Sequence, residues 1–410
     1  MAALFVLMAG LSWRKWADIV VDFGTQLYVP WRICEGGVLY RDFHYLPGGP
    51  LSQYFNAWLF KMFGVSFRTL IFANLTIIAG MLVLVYRYFL AVTDRWTATT
   101  IGSAIVIGFA FANYGDCNYN YVTPYCHEVF HGLVLSILAV ALLSSWVEQK
   151  RWWFVWGAGL CYGLVFLTKP EIFLALSAGV AAALVLVLNE GGQARFIAKS
   201  LPVFLSAAFI APLGFFLYFL HVEGVSSSLR AMAFAWVPLL EKPVAHDAYY
   251  KWCLGLDDPY ARLKQMLEQF FLLAVVVAFC AFFFKRKINS SRDKIIALGG
   301  SAALLVLASR LDWVSIASLP LICLTLCVLL WVHRKKLAAQ GALAFPWVWS
   351  VFALVLLAKL GLFSAASGTM ALFWPCRPRW VRFICCSGCC RCCWKNTGCN
   401  GWPFAAWPGG

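Results

Sequence analysis

Long apolar runs recur along this chain and are separated by short polar loops. An α-helix needs about 20 mainly apolar residues, at 1.5 Å each, to cross a bilayer. The Gly, Phe and Trp between the runs do not follow the alternation typical of a membrane β-barrel. We therefore predict an all-α, polytopic transmembrane helix bundle of about 11 helices, at roughly 1–13, 68–92, 97–113, 128–148, 153–168, 172–188, 200–220, 268–284, 295–308, 314–332 and 342–362.

The composition agrees with this pattern. Of the 410 residues, 62% are hydrophobic and 12% charged, whereas soluble domains are close to half apolar and a quarter charged. The net charge of +15 comes from bases spread over short loops, such as Lys150 and Arg151, and not from one soluble domain. We predict a multi-pass protein of the plasma membrane, such as a bacterial inner membrane, with the lipid bilayer as a partner and no nucleic acid.

Basic loops on the cytoplasmic side place the other loops outside the cell. The predicted extracytoplasmic segments are 14–67, 114–127, 169–171, 221–267 and 309–313. The first is long, and apolar residues within 51–64 recur at helical spacing, which predicts a helix lying in the membrane interface.

The two ends of the chain differ from the middle. The first helix is short and has no basic segment before it, so we expect the true start to lie upstream; a helix that only dips into the bilayer is the alternative. Residues 364–410 contain eight of the 16 cysteines, among them the doublets of CCSGCCRCC. Cys386 and Cys389 have CxxC spacing, but a zinc module sets two such pairs apart. We expect residues 1–363 to be the membrane domain and 364–410 to be an out-of-frame or disordered tail; a metal or lipidation role is the alternative.

Acidic, basic and aromatic residues are gathered in the first loop. Transfer of a sugar from a lipid phosphate to a hydroxyl needs a carboxylate that accepts the proton and cations that face the phosphate. Asp22 is the first candidate for the catalytic base, with Asp42 as a second base or a positioning acid. Arg41 and Tyr45 are candidate substrate-binding residues. An acid that merely marks a helix end is the alternative for Asp22.

A second polar and aromatic cluster spans residues 113–131. We expect a sugar-binding surface here from Asn118, Tyr121, His127, Glu128 and His131. The run from His127 to His131 also reads HExxH, the motif of zinc proteases, so an intramembrane metalloprotease is an alternative, although no convincing third ligand is visible. The third interpretation is that these residues have a structural role only, at the end of a helix. A divalent metal is a possible cofactor, and its ligands are unknown.

Two smaller features add candidates. Lys169 and Glu171 flank Pro170 between two apolar helices, where Lys169 could hold a lipid phosphate or simply pair with Glu171. Cys117 and Cys126 could form a disulfide in an oxidising compartment.

With Asp22, the stretch EGGVLYRDFHYLPGGPL at 35–51, the KMFG at 61–64 and the Lys-Pro-Glu at 169–171, the chain resembles the glycosyltransferase-C superfamily, in the branch of protein O-mannosyltransferases and aminoarabinose transferases. The resemblance implies a polyprenyl-phosphate-linked sugar as donor and a glycan, lipid or protein as acceptor on the extracytoplasmic face. It also implies an inverting displacement with Asp22 as base. Phe23 stands where the family often has Glu, so a second acid would come from elsewhere, such as Asp42. A multi-pass transporter is the main alternative.

Overall fold

The computed structural model describes residues 1–17, 23–43, 45, 48–112, 120–189, 194–236, 251, 254–285, 299–304, 306–307, 309–311, 317–334 and 344–358. Within these ranges the chain is mostly helical and has no strand; an isolated β-bridge joins Leu39 and Phe43. The all-α fold class is therefore confirmed for the described part of the chain.

The helices are α1 Ala2–Leu11, α2 Gly24–Cys34, α3 Pro50–Phe63, α4 Phe67–Val92, α5 Arg95–Ile105, α6 His127–Gln149, α7 Trp152–Phe166, α8 Pro170–Asn189, α9 Ala194–Glu223, α10 Val225–Ala233, α11 Pro259–Lys285, α12 Leu319–Val332 and α13 Ala344–Ala358. Four stretches among the described residues are long and apolar enough to cross a membrane: Phe67–Ala91, His127–Gln149, Ala198–Glu223 and Pro259–Phe282. Their mean hydropathies of 1.9 to 2.2 indicate a membrane protein.

Helix α7 lies between α6 and α9, and α8 packs against α13. Gly159 and Gly163 lie one turn apart on α7, where a Cβ would collide with the carbonyl oxygens of Phe204 and Ala208 on α9. Small residues at this spacing let two helix backbones approach closely, which is how many membrane helices associate. The glycines therefore set the α7–α9 contact.

Two helices lie where the sequence predicts loops. Helix α2 falls within the predicted loop 14–67, and α10 within the predicted loop 221–267. The prediction was wrong at α2 because Pro30 and the mixed polarity of the segment hide its period. Gln26, Val29 and Pro30 are the buried residues of α2, and their spacing is that of one helical face.

The helix predicted at 97–113 ends earlier than expected. Helix α5 passes into a π-helical turn at Val106–Ala110, where the N–H of Phe111 donates to the carbonyl oxygen of Val106 at 3.2 Å. Helix α11 starts at Pro259, so residues 259–267 form the first turns of the helix predicted at 268–284, as their sequence allows and as suits a proline in the first turn.

The predicted helix at 51–64 exists as α3, but its polar face points inward. Ser52, Gln53 and Asn56 are buried, whereas Trp58 and Phe63 are 54% and 70% exposed. A surface helix of a soluble protein has its apolar side chains inside and its polar side chains outside, and α3 has the opposite arrangement. This arrangement suits a helix whose outer face meets lipid. The inward polar face forms part of the site described next.

Candidate functional site

Four buried polar residues meet at the N-terminal end of α6. They are Gln26 of α2, Tyr45 of the first loop, Gln53 of α3 and Glu128 of α6, and none is more than 1% exposed. We refer to these four residues as the Glu128 cluster. Most polar groups at this depth in proteins are hydrogen-bonded, because a buried unpaired group costs free energy.

Both carboxyl oxygens of Glu128 act as acceptors. The Tyr45 hydroxyl donates to them at 3.0 and 2.9 Å, Gln53 Nε2 donates at 2.8 Å, and the Cys126 thiol donates at 2.8 Å. The Tyr45 oxygen in turn accepts from Gln26 Nε2 and Gln53 Nε2, both at 2.7 Å. A hydroxyl has one proton and two lone pairs, so the hydrogen-bonding capacity of Tyr45 is fully used.

The donors to Glu128 keep their protons. Burial raises the pKa of the Tyr45 phenol well above its usual value, and the neighbouring Glu128 raises it further. Burial likewise raises the pKa of the Cys126 thiol, again with Glu128 adding to the effect. Both groups are therefore donors, and they hold the Glu128 carboxyl in one position.

His127 is engaged at both ring nitrogens. Its Nδ1 lies 2.9 Å from Gln26 Oε1, and its backbone N–H donates to the same oxygen at 3.1 Å. Its Nε2 lies 3.1 Å from Asn74 Nδ2, which also donates to the carbonyl oxygen of Val122. Since the Asn74 amide nitrogen can only donate, Nε2 accepts and Nδ1 carries the proton.

The HExxH residues are thus used for hydrogen bonds between elements. His131 Nδ1 lies 3.0 Å from Ser52 Oγ, and its buried Nε2 has no partner among the described residues. The Glu128 carboxyl faces Tyr45 and Gln53. Among the described residues, no group of three His, Cys, Asp or Glu side chains is placed to hold a metal. The geometry of the motif gives the metalloprotease hypothesis no support.

The end of the first loop docks onto the segment before α8. The backbone N–H of Gly49 donates to the carbonyl oxygen of Thr168, and the backbone N–H of Leu51 donates to the carbonyl oxygen of Leu167 at 3.1 Å. A Cβ at Gly48 would lie 2.7 Å from Glu128 Cγ, and one at Gly49 would collide with the Leu167 oxygen. Only glycine permits this approach. The three predicted clusters, in the first loop, at the start of α6 and around residue 169, therefore meet in one place.

Lys169 lies at this meeting point. It is half-buried, with its Nζ 6.0 Å from the centroid of the Tyr125 ring. Burial would by itself lower the pKa of the Lys169 ammonium, but the ionisable groups around it, first Cys126 and then Glu171, Tyr125 and Glu128, outweigh burial and raise that pKa. The site therefore keeps a charged ammonium close to the Glu128 cluster. Glu171 follows in the first turn of α8 and is also half-buried.

Arg41 and Asp42 are placed differently from Lys169. Both are exposed, and they pair with each other: Arg41 Nε lies 2.8 Å from Asp42 Oδ1. The hydrogen bond from Arg41, together with one from the Val38 N–H, lowers the pKa of Asp42 to about 2. A carboxylate with so low a pKa accepts a proton poorly near neutral pH. The low pKa argues against Asp42 as the base and is compatible with a positioning role.

Tyr121 lies in the apolar core. It is 2% exposed, and its ring stacks on those of Phe109 and Phe130. Three other predicted residues, Asp22, Asn118 and Cys117, lie outside the described residues, as does the tail at 364–410.

Sequence reasoning missed several residues that build this site. They are buried amides and hydroxyls of α2, α3 and α4: Gln26, Ser52, Gln53, Asn56 and Asn74. A polar side chain inside an apolar membrane segment is costly and therefore a signal. Asn74, in the middle of the run that forms α4, could have been found on that ground.

Comparisons with protein-family models, with curated proteins and with solved structures found no match to this chain. The likeness to the glycosyltransferase-C superfamily thus rests on the motifs quoted above. The function has to be argued from the site itself.

Proposed function

We propose that this protein is an integral membrane glycosyltransferase that moves a sugar from a polyprenyl-phosphate donor to an acceptor on the extracytoplasmic face. The observation that carries the proposal is the meeting of the first loop with the starts of α6 and α8 at the Glu128 cluster. Tyr45 and Gln53 reach Glu128 at 2.8–3.0 Å, with Lys169 nearby. One buried polar cluster thereby fixes the end of the first loop close to a charged ammonium, which supports a site at this place.

The proposed reaction is a single displacement. The acceptor hydroxyl oxygen attacks the anomeric carbon of the donor sugar, and Asp22 takes the hydroxyl proton. The bond between that carbon and the phosphate oxygen breaks, and polyprenyl phosphate leaves with the bonding electrons. The Lys169 ammonium stabilises the charge on the departing phosphate, because it stays protonated in its half-buried position. Glu128 acts as a positioning residue that holds the loop.

The helix order supports a site on the extracytoplasmic side of a multi-pass protein. Helix α6 has 23 residues, so its two ends are about 34 Å apart. The site lies at its N-terminal end, and the basic pair Lys150 and Arg151 lies beyond its C-terminal end. Basic residues favour the cytoplasmic side.

A transporter is the second candidate, and one observation favours it. Glu128 is completely buried in the first turn of α6, a helix long enough to cross the membrane. Buried acids within membrane helices commonly mark ion or proton pathways. The hydrogen bonds that occupy both Glu128 oxygens fit a positioning role better.

The test is transfer of labelled sugar from a polyprenyl-phosphate donor in membranes that contain the full chain. We expect Asp22→Asn to abolish transfer. Asp94→Asn is the matched control, since Asp94 caps α5 by accepting from the N–H of Trp96 and Thr97, and asparagine caps a helix equally well.

Three results would change the conclusion. Transfer by the Asp22→Asn variant would keep the transferase but reject Asp22 as its base. Absence of transfer by the native protein, with substrate uptake into vesicles that Glu128→Gln abolishes, would favour the transporter. Absence of both activities in correctly folded protein would reject both functions.

A further inference from the structure

A groove of about 570 Å³ lies on the outside of the molecule between α3 and α4. Its walls are mostly apolar and aromatic, including Phe55, Leu59, Phe63 and Phe72. Phe63 and Phe72 are 70% and 56% exposed. On a membrane protein such a surface faces lipid, and a groove in it has room for a hydrocarbon chain.

One end of the groove has a positive charge. Arg68 lines it together with Ser66 and Thr69, at the start of α4. Arg68 is exposed, and none of the ion pairs between described residues involves it. Its guanidinium has the fork of donors that suits a phosphate.

The position of the groove matches one leaflet of a bilayer. Arg68 lies in the first turn of the candidate span Phe67–Ala91, where phosphate groups of a membrane would lie. The lining residues on α4 extend from Arg68 to Ile77, nine helical steps or about 13 Å along the helix axis. Half of a bilayer's hydrocarbon core is about 15 Å thick.

We propose that this groove binds one anionic phospholipid, with a hydrocarbon chain between α3 and α4 and its phosphate on Arg68. The groove also touches the site: Phe55, in its wall, meets the His131 ring edge to face, with centroids 5.4 Å apart. The bound chain therefore packs against the helix that supplies Ser52 and Gln53 to the buried polar face. This inference does not depend on the proposed function.

The test uses the full-length protein reconstituted from vesicles of equal parts phosphatidylglycerol and phosphatidylcholine, and counts retained lipids by native mass spectrometry. We expect the native protein to retain phosphatidylglycerol preferentially, and Arg68→Gln to weaken that retention on the order of tenfold. Arg87→Gln is the matched control, because Arg87 is also exposed and lies near the other end of α4.

A second pair of variants tests the hydrocarbon chain. Thr76→Trp fills the groove from an exposed position and should displace the lipid, whereas Ala79→Trp, exposed on the same helix but outside the groove, should not. Equal retention by the Arg68 and Arg87 variants would overturn the proposal. So would loss of retention in Arg68→Gln without loss in Thr76→Trp, which would indicate a site for phosphate alone. Circular dichroism of each variant confirms that it is folded.

Discussion

Tyr45→Phe removes a single oxygen from the centre of the Glu128 cluster. That oxygen donates to Glu128 and accepts from Gln26 and Gln53, all within 2.7–3.0 Å. The ring is 1% exposed, so water does not reach the groups that lose their partner. The variant keeps the shape of the side chain and tests the hydrogen bonds alone.

The expected loss in the free energy of unfolding depends on which polar groups are left without a hydrogen-bond partner. Gln53 keeps its bond to Glu128 at 2.8 Å, whereas Gln26 Nε2 loses its bond to Tyr45 and Glu128 loses one donor. A buried polar group left without its partner costs about 1–3 kcal/mol, and more where a charge is involved. We expect Tyr45→Phe to lower the free energy of unfolding by about 2–5 kcal/mol.

The assay is equilibrium unfolding of the purified protein in mixed micelles by titration with sodium dodecyl sulfate, followed by circular dichroism. Tyr54→Phe is the matched control. Among the residues that the structure describes, the hydrogen-bond contacts of the Tyr54 hydroxyl are long, at 3.4 Å to the Leu39 N–H and 3.4 Å to the Tyr218 hydroxyl. Hydrogen bonds of that length contribute little to stability, so Tyr54→Phe should lower the free energy of unfolding by less than about 1 kcal/mol.

Two results would refute this reasoning. Equal costs for Tyr45→Phe and Tyr54→Phe would show that the buried bonds contribute no more than the long ones. A double-mutant cycle between Tyr45→Phe and Glu128→Gln gives the coupling directly, and we expect at least about 1 kcal/mol. Additive effects would show that the two residues do not interact.

Three further predictions concern packing and charge. Gly49→Ala should lower the unfolding midpoint and loosen the first loop, measured as faster proteolysis there, because a Cβ collides with the segment before α8; unchanged proteolysis would contradict the docking. Gly163→Ala should lower the midpoint, whereas Gly80→Ala, with open space around it, should raise it slightly through helix propensity; equal shifts would reject the close α7–α9 contact. Arg41→Gln should raise the pKa of Asp42 from about 2 toward its ordinary value of about 3.9, measured by NMR titration of labelled aspartate. In the native protein, the ionised Asp42 stabilises the fold above about pH 4, and this stabilisation is lost as the pH falls toward 2. In the Arg41→Gln variant the pH range over which it is lost should be narrower. An unchanged Asp42 titration would show that Arg41 does not set the pKa of Asp42.

Part of the candidate site could be predicted from the sequence, because polar and charged side chains are energetically unfavourable in a membrane segment and stand out among apolar residues. Glu128, His127, His131 and Lys169 were all found in this way. Of the partners of Glu128, Tyr45 was a predicted candidate, whereas Gln53 was not, and neither was Gln26, which donates to Tyr45. Both glutamines are ordinary residues for a polar loop. Their importance comes only from being buried against one carboxyl group.

Helix length and hydropathy are local properties, so the amino-acid sequence was enough to predict an all-helical protein suited to a membrane. The inward orientation of Ser52, Gln53 and Asn56 on α3 and the helical conformation of α2 became visible in the folded structure. The folded structure also shows that Gly48 and Gly49 bring the first loop against Glu128. These features depend on contacts between residues up to about 120 positions apart, such as the hydrogen bond from Gly49 to Thr168, and pairings at that distance leave no local pattern.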